Sequence, residues 1–308
     1  MGKRLISCTS QEMLKLSKEE FIEAISGSEG RVLVSETIGI LQPMLGDVTN
    51  AEFVAAMGAD LIILNMFDVN NPTINGLPDV PRDEVIRELK RLTGRKIGIN
   101  LEPVDSQKDS MQAESMWEMT DGRKATAENV KKAISMGADF VVLTGNPGMG
   151  VSNQEIINSL KEIRQSVGDE VVLIAGKMHG AGILSEGGEK IITLQDVDAF
   201  ISAGADIILF PAPGTVPGIT MEYIRGLVSF AHSKNVLTMT AIGTSQEGAD
   251  IATIRQIAMM CKMTGTDIHH IGDTGYAGMA LPENIQAYSV AIRGIRHTYH
   301  RMAQSINR

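Results

Sequence analysis

Four short apolar runs in the chain are each preceded by the same phrase. Met57-Gly58-Ala59-Asp60 leads into Leu61-Ile62-Ile63-Leu64, and Met136-Gly137-Ala138-Asp139 into Phe140-Val141-Val142-Leu143. Ala203-Gly204-Ala205-Asp206 leads into Ile207-Ile208-Leu209-Phe210, and Thr264-Gly265-Thr266-Asp267 into Ile268-His269-His270-Ile271. Each phrase reads as a helix ending, a glycine in the left-handed conformation that closes it, a small residue turning the chain, and a buried strand beginning. Continuous apolar, β-branched runs suit a parallel sheet covered on both faces.

The interval between phrases holds two strand–helix units. Four further strands are predicted at 32–36, 96–102, 170–177 and 236–242. Amphipathic helical segments alternate with the strands at 50–57, 82–93, 126–136, 153–167, 193–203, 220–234, 250–264 and 282–305. Strand–helix alternation implies a parallel sheet, and a quarter-barrel repeat implies closure. The expected fold is α/β, a (βα)8 TIM barrel over 31–308, preceded by a helical extension in 1–30, all in one domain. The length of 308 residues suits such a barrel, which needs about 250 plus insertions. In the extension, Met13, Leu14, Leu16, Phe21, Ile22 and Ile25 predict helices packed on the N-terminal mouth, with a dimer contact as the alternative.

In such barrels, polar residues at the C-terminal ends of strands read as catalytic. That filter selects Ser35, Glu36 and Thr37 on the first strand and Asn65 and Asp68 after the second. It adds Asn100 and Glu102 on the third, Thr144 and Asn146 after the fourth, and Lys177 and His179 after the fifth. Thr240, Thr244 and Ser245 follow on the seventh strand, and His269, His270, Asp273 and Thr274 on the eighth. Alternation along 96–102 turns Gly98, Asn100 and Glu102 to one side, inward, where a carboxylate needs a partner or a cation. Lys177, at the end of an apolar strand, is the candidate for a fixed cation or a Schiff-base lysine, and for a pair with Glu102 across the barrel. His179 is a candidate acid–base group. Adjacent residues on a strand face opposite sides, so at most one of His269 and His270 points inward, which argues against a paired-histidine metal site. Glu36, Glu102 and Asp273 are the set that would suit Mg²⁺.

Two glycine-rich turns follow the last two strands, Gly243-Thr244-Ser245-Gln246-Glu247-Gly248 and Gly272-Asp273-Thr274-Gly275-Tyr276-Ala277-Gly278. Loops at these positions often form the phosphate site of a TIM barrel, which makes Gly243, Thr244, Ser245, Thr274 and Gly275 the phosphate-binding candidates. Glu247 and Asp273 oppose an anion there unless turned away or paired. Gly145-Asn146-Pro147-Gly148-Met149-Gly150 lacks the lysine of a P-loop and reads as a backbone wall. The longest loop, 103–125, carries the only tryptophan, Trp117; with the Gly- and Pro-rich loops 180–190 and 212–219 it is expected to close over a ligand.

Composition narrows the partners. A net charge of −9 argues against a nucleic-acid binder. The basic tail residues Arg293, Arg296, His297, His300, Arg301 and Arg308 read as the end of the last helix. Cys8 and Cys261 lie in no paired spacing, and the N-terminus has no apolar signal-peptide core. No apolar run reaches the roughly 18 residues of a membrane span. The expectations are a cytoplasmic protein with a small-molecule anionic ligand, no nucleic-acid or membrane partner, and self-association into a homo-oligomer left open.

The stretch Asp267-Ile268-His269-His270-Ile271-Gly272-Asp273-Thr274-Gly275-Tyr276 resembles a bacterial family of TIM-barrel proteins of unassigned activity, some labelled phosphoenolpyruvate phosphonomutase-like or haloacid-dehalogenase-like. The resemblance extends over the whole chain. The layout from Ser35-Glu36-Thr37 to Asp60 is similar to the phosphonomutase and isocitrate lyase superfamily. The acidic third-strand motif of that superfamily has no match at 98–104, its Cys-Gly-His type loop has none after the fourth strand, and the Asp-x-Asp motif of haloacid dehalogenases is absent. The resemblance thus implies the fold and leaves the reaction open. The leading expectation is an isomerase or lyase acting on a small anionic, phosphorylated metabolite by proton transfer, isomerisation or C–C or C–P cleavage, with Glu102, Lys177, His179, Asp273 and Glu36 as catalytic residues. Asn65, Asn100, Thr144 and Asn146 would bind substrate. The alternatives are a metal-assisted hydrolase or lyase and a non-catalytic ligand-binding barrel.

Overall fold

The structure is a computed structural model that describes residues 2–104 and 119–308. A short N-terminal pair, α1 (Ser10–Lys15) and α2 (Lys18–Ser26), precedes eight strand–helix units. These run β1 (Val32–Ile38), α3 (Asn50–Ala56), β2 (Leu61–Asn65), α4 (Val85–Thr93), β3 (Lys96–Leu101), α5 (Ala127–Met136), β4 (Phe140–Leu143) and α6 (Asn153–Val167). The second half continues β5 (Val172–Gly176), α7 (Leu194–Ala203), β6 (Ile207–Pro211), α8 (Met221–Ser233), β7 (Leu237–Ile242), α9 (Ile251–Thr264), β8 (Ile268–Ile271) and α10 (Pro282–Met302). All neighbouring strands are parallel and β8 closes on β1, giving the predicted (βα)8 barrel. Part of the expected lid loop, 105–118 with Trp117, lies outside the described residues.

The Gly-x-Asp phrase is a four-fold repeated joint. Gly58, Gly137, Gly204 and Gly265 all have φ between +89° and +108°, the left-handed conformation expected of a helix-closing glycine. The aspartate that follows binds the strand before it. Asp60 Oδ2 accepts from Leu33 N, Asp139 Oδ2 from Ile97 N, Asp206 Oδ2 from Leu173 N and Asp267 Oδ2 from Thr238 N, all at 2.8–2.9 Å. In return each aspartate N–H donates to the carbonyl of the same residue. Each carboxylate also has a basic side chain beside it: Arg293 and Arg301 on Asp60, Lys96 on Asp139, Arg164 on Asp206 and His232 on Asp267. The joint pins the start of each odd strand against the following even one, which fixes the stagger of the sheet.

Side-chain alternation separates two cores. Leu33, Ile62, Ile97, Val141, Leu173 and Ile208 face the helices. Val34, Ile63, Phe140, Val142, Ile174, Leu209 and Met239 fill the barrel. Leu5, Met13, Phe21 and Ile25 belong to the inner cluster, so the N-terminal helices stopper the N-terminal mouth as expected. Phe21 lies 6.4 Å from Phe140 between ring centroids, and Lys96 Nζ sits 5.2 Å over the Phe21 ring while donating to Leu16 O. Gly98 makes room for Phe140: a Cβ at that position would fall 2.3 Å from the ring. The last helix is longer in prediction than in fact. It ends at Met302 and is interrupted at Gly294, where φ is +74° and ψ 169°. Arg301 beyond the kink reaches Leu5 O and Cys8 O and ties the two chain ends together. Cys8 and Cys261 are buried free thiols. Among the described residues no helix is long and apolar enough to cross a membrane.

Candidate functional site

With the N-terminal mouth stoppered, the strands deliver their inward side chains to the opposite end, where a cavity of about 310 Å³ opens. Glu36 from β1, Asn65 from β2, Asn100 and Glu102 from β3 and its end, and Thr144 after β4 line it, as the alternation predicts. Asn146, His179, Gly243 and Asp273 complete the set of predicted residues found there. Arg123, Glu247, Met66, Met149 and Met178 line it as well; none of them is among the catalytic, substrate-binding or phosphate-binding candidates, although Arg123, Glu247 and Met149 lie in loops expected at the mouth.

The polar groups form two linked arrangements. Glu36, in the cavity lining, has Oε2 2.9 Å from Nε2 of His270, which is buried behind it. His270 is therefore the inward histidine. His269 turns to α10, meeting Gly30 O at 3.0 Å and the Tyr288 hydroxyl at 3.2 Å, and burial lowers its pKa to about 4. On the other side, Asp273 Oδ2 accepts from Asn65 Nδ2 at 2.8 Å, and the Asn100 amide lies 3.2 Å from Asn65 Oδ1. Burial, reinforced by the nearby Glu36 carboxylate, pushes Asp273 up to about 6. Burial also raises Glu102 and Glu247 above the usual carboxylate range. His179 is shifted down by burial and by Lys177, so it is neutral near pH 7.

Several expectations need correction. Glu102 does not pair with Lys177: its partner is Arg123, 2.5 Å away, in the 3₁₀ turn Asp121–Arg123 that follows the long loop. Lys177 is buried and lines neither cavity at the mouth. On β5, Val172 and Ile174 face inward and Leu173 and Ala175 outward, so Lys177 falls on the outward parity while Met178 enters the site. The turn after β8 is not an open anion cradle. Thr274 N donates to Glu247 Oε1 at 3.2 Å and Gly275 N to Asp273 Oδ1 at 2.8 Å, so side-chain carboxylates already hold the amides that a phosphate would need. Glu36, Glu102 and Asp273 share one cavity, yet among the described residues no three His, Cys, Asp or Glu side chains converge as metal ligands do. Ser35 and Thr37 have the outward parity on β1, away from the cavity.

Gly243, Thr244 and Ser245 do border open space, in a second lobe of about 520 Å³. This lobe meets the first at His179 and Gly243 and is walled by the loops after β5, β6 and β7. Its lining is largely glycine backbone and apolar side chain, including Gly180, Gly182, Ile191 and Val216. The mouth is thus divided into an acidic floor and a neutral side lobe.

Solved structures share the architecture. An archaeal fructose-1,6-bisphosphate aldolase, with its catalytic lysine covalently bound to the carbinolamine intermediate, aligns over 90% of this chain and 99% of its own, with 12% identity and a TM-score of 0.57. A 2,3-dimethylmalate lyase, a member of the PEP mutase/isocitrate lyase superfamily, aligns over 83% of this chain and 81% of its own, with 11% identity and a TM-score of 0.50. At such identities the likeness is one of fold. No curated protein matches the sequence. Residues 6–308 match the family described as a domain of unknown function, DUF7916, and the chain belongs to that family.

Proposed function

We propose that the protein is an enzyme of the isomerase or lyase class that moves a proton on a small metabolite held over Glu36, Glu102 and Asp273. The observation behind this reading is the placement of Asp273. Its carboxyl group lines the cavity beside the Asn65 amide, near Glu36. A carboxyl that titrates near 6 can both accept and return a proton close to neutral pH. Glu36 and His270 supply a second buried acid–base pair below it. Arg123 holds Glu102 in place, while Asn65, Asn100, Thr144 and Asn146 offer hydrogen bonds that fix the substrate. His179, neutral and at the seam of the two lobes, assists.

A phosphorylated substrate has room for its phosphate in the side lobe, against Gly243, Thr244 and Ser245, because the Thr274 and Gly275 amides are taken. The aldolase named above works through a covalent lysine. The outward position of Lys177 gives that route no support in this chain, so the proposed chemistry is proton transfer by carboxyl groups.

The test is deuterium wash-in. Small phosphorylated metabolites are incubated with the protein in D₂O and their C–H signals followed by NMR. A substrate exchanges or is converted, and Asp273→Asn slows this by at least about 100-fold, within the usual contribution of a general acid–base group. Ligands that bind without any exchange or conversion would instead establish a non-catalytic barrel.

A further inference from the structure

The acidic floor raises a question that the proposed chemistry leaves open: what charge the bound molecule brings. Of the side chains lining the first cavity, Glu36, Glu102, Glu247 and Asp273 are acidic and Arg123 is the basic one, among the described residues. Arg123 is engaged with Glu102. Glu36 faces His270, and Asp273 is held by Asn65 and Gly275 N. Glu247 differs from these. It is 4% exposed and lines the cavity, with Oε1 accepting from Thr274 N. Its Oε2 is buried and has no hydrogen-bond partner among the described residues. The same holds for Thr144 Oγ1, on a residue 3% exposed in the same lining. Native proteins rarely leave such atoms unsatisfied, and for residues that line a cavity the missing partner is a ligand or an ordered water to which the side chain turns.

We infer that this cavity takes a ligand whose buried end is an ammonium group, docked on the Glu247 carboxylate, with Oε2 turning to meet it. An ammonium carries donors and no acceptor, which suits a wall of carboxylate and hydroxyl oxygens. It also brings positive charge to a lining that holds four acidic side chains against one arginine, among the described residues. Burial raises Glu247 and Asp273, and the neighbouring Glu36 carboxylate pushes both the same way, so positive charge is favoured at this wall. A neutral polyol could meet the hydrogen bonds but would bring no such charge. An anion would find the turn amides occupied by Glu247 and Asp273. A divalent cation would need three converging ligands, which the described residues do not provide. The substrate class is then an amino compound, with room for an anionic tail in the neutral side lobe.

This inference rests on the same cavity as the proposed reaction, but it is tested by binding alone, so the two fail separately. The full chain is titrated calorimetrically at pH 7.5 and low salt with 1,3-diamino-2-propanol and with glycerol, a matched pair differing in ammonium against hydroxyl. Hydroxymalonate and magnesium chloride are titrated as the anion and metal probes. The expected result is a Kd for the diamine at least tenfold below that for glycerol, and no comparable binding of the other two. Glu247→Gln keeps the Oε1 acceptor for Thr274 N and should weaken the diamine at least tenfold with glycerol unchanged. Glu247→Asp, which withdraws the carboxylate by one methylene, serves if the first variant does not fold. Equal binding of glycerol, tighter binding of hydroxymalonate or magnesium, no diamine binding at millimolar concentration, or diamine binding unchanged by the substitution would each overturn the inference.

Discussion

Glu36 Oε2 and His270 Nε2 meet at 2.9 Å inside the barrel although the two residues lie near opposite ends of the chain. They meet because β8 closes on β1 with Val34 opposite His270, which puts Glu36 two residues further toward the open mouth. Each is the hydrogen-bond partner that makes burial of the other tolerable. Glu36→Ala should therefore destabilise the protein by about 1–3 kcal/mol, the cost of stranding a buried polar group. Urea unfolding measures this, and a loss below about 0.5 kcal/mol would mean that the contact is dispensable.

Asp273 predicts a particular pH dependence. Its folded pKa of about 6 lies above the ordinary value, so the folded state binds this proton more tightly than the unfolded chain. Ionisation of Asp273 thus costs stability as pH rises from about 4 through 6, with the full cost present above that window. Asp273→Asn removes the charge but leaves one acceptor oxygen for two donors, Asn65 Nδ2 and Gly275 N. The variant should be more stable than the parent by roughly 1–2 kcal/mol at pH 8 and no more stable at pH 4, after allowing for the lost hydrogen bond. Denaturant curves at the two pH values check the sign.

The four joint aspartates should not be equivalent. Asp60 is fully buried between Arg293 and Arg301, whereas the Asp206 side chain is 17% exposed. Asp60→Asn leaves two buried guanidinium groups without their counterion and should cost about 3–5 kcal/mol. Asp206→Asn, where water can reach the site, should cost about 1 kcal/mol. Equal losses in unfolding experiments would show that the backbone hydrogen bond, common to both, is what matters.

Gly98 offers a test of packing beneath the site. Gly98→Ala drives a methyl group into the Phe140 ring and should cost about 1–3 kcal/mol. Gly98→Ala combined with Phe140→Leu should recover part of the loss, since the smaller side chain vacates the space. A double variant no more stable than the sum of the two single losses would place the strain elsewhere.

Local chemistry determined most of the architecture. The Gly-x-Asp phrase specifies a helix end and the start of the next strand within four residues, so the even strands were legible and the odd ones followed from spacing. Period-two alternation also placed Asn100 and Glu102 inward and allowed only one inward histidine. The same alternation places Lys177 outward, as the structure finds, so that correction was already legible in Val172, Ile174 and Gly176. Other features needed the closed barrel. Asn65 and Asp273 are 208 residues apart in sequence and meet only because the barrel ring brings their strand ends together. Arg123 reaches Glu102 by the return of a long loop, and nothing in the spacing of those residues specifies the pair. The turn after β8 looked like an anion site because its sequence shows glycines and hides which amides are already bonded. Sequence fixes where each side chain leaves the backbone, whereas the partners it meets across the ring, and hence the charge the site will accept, depend on tertiary closure.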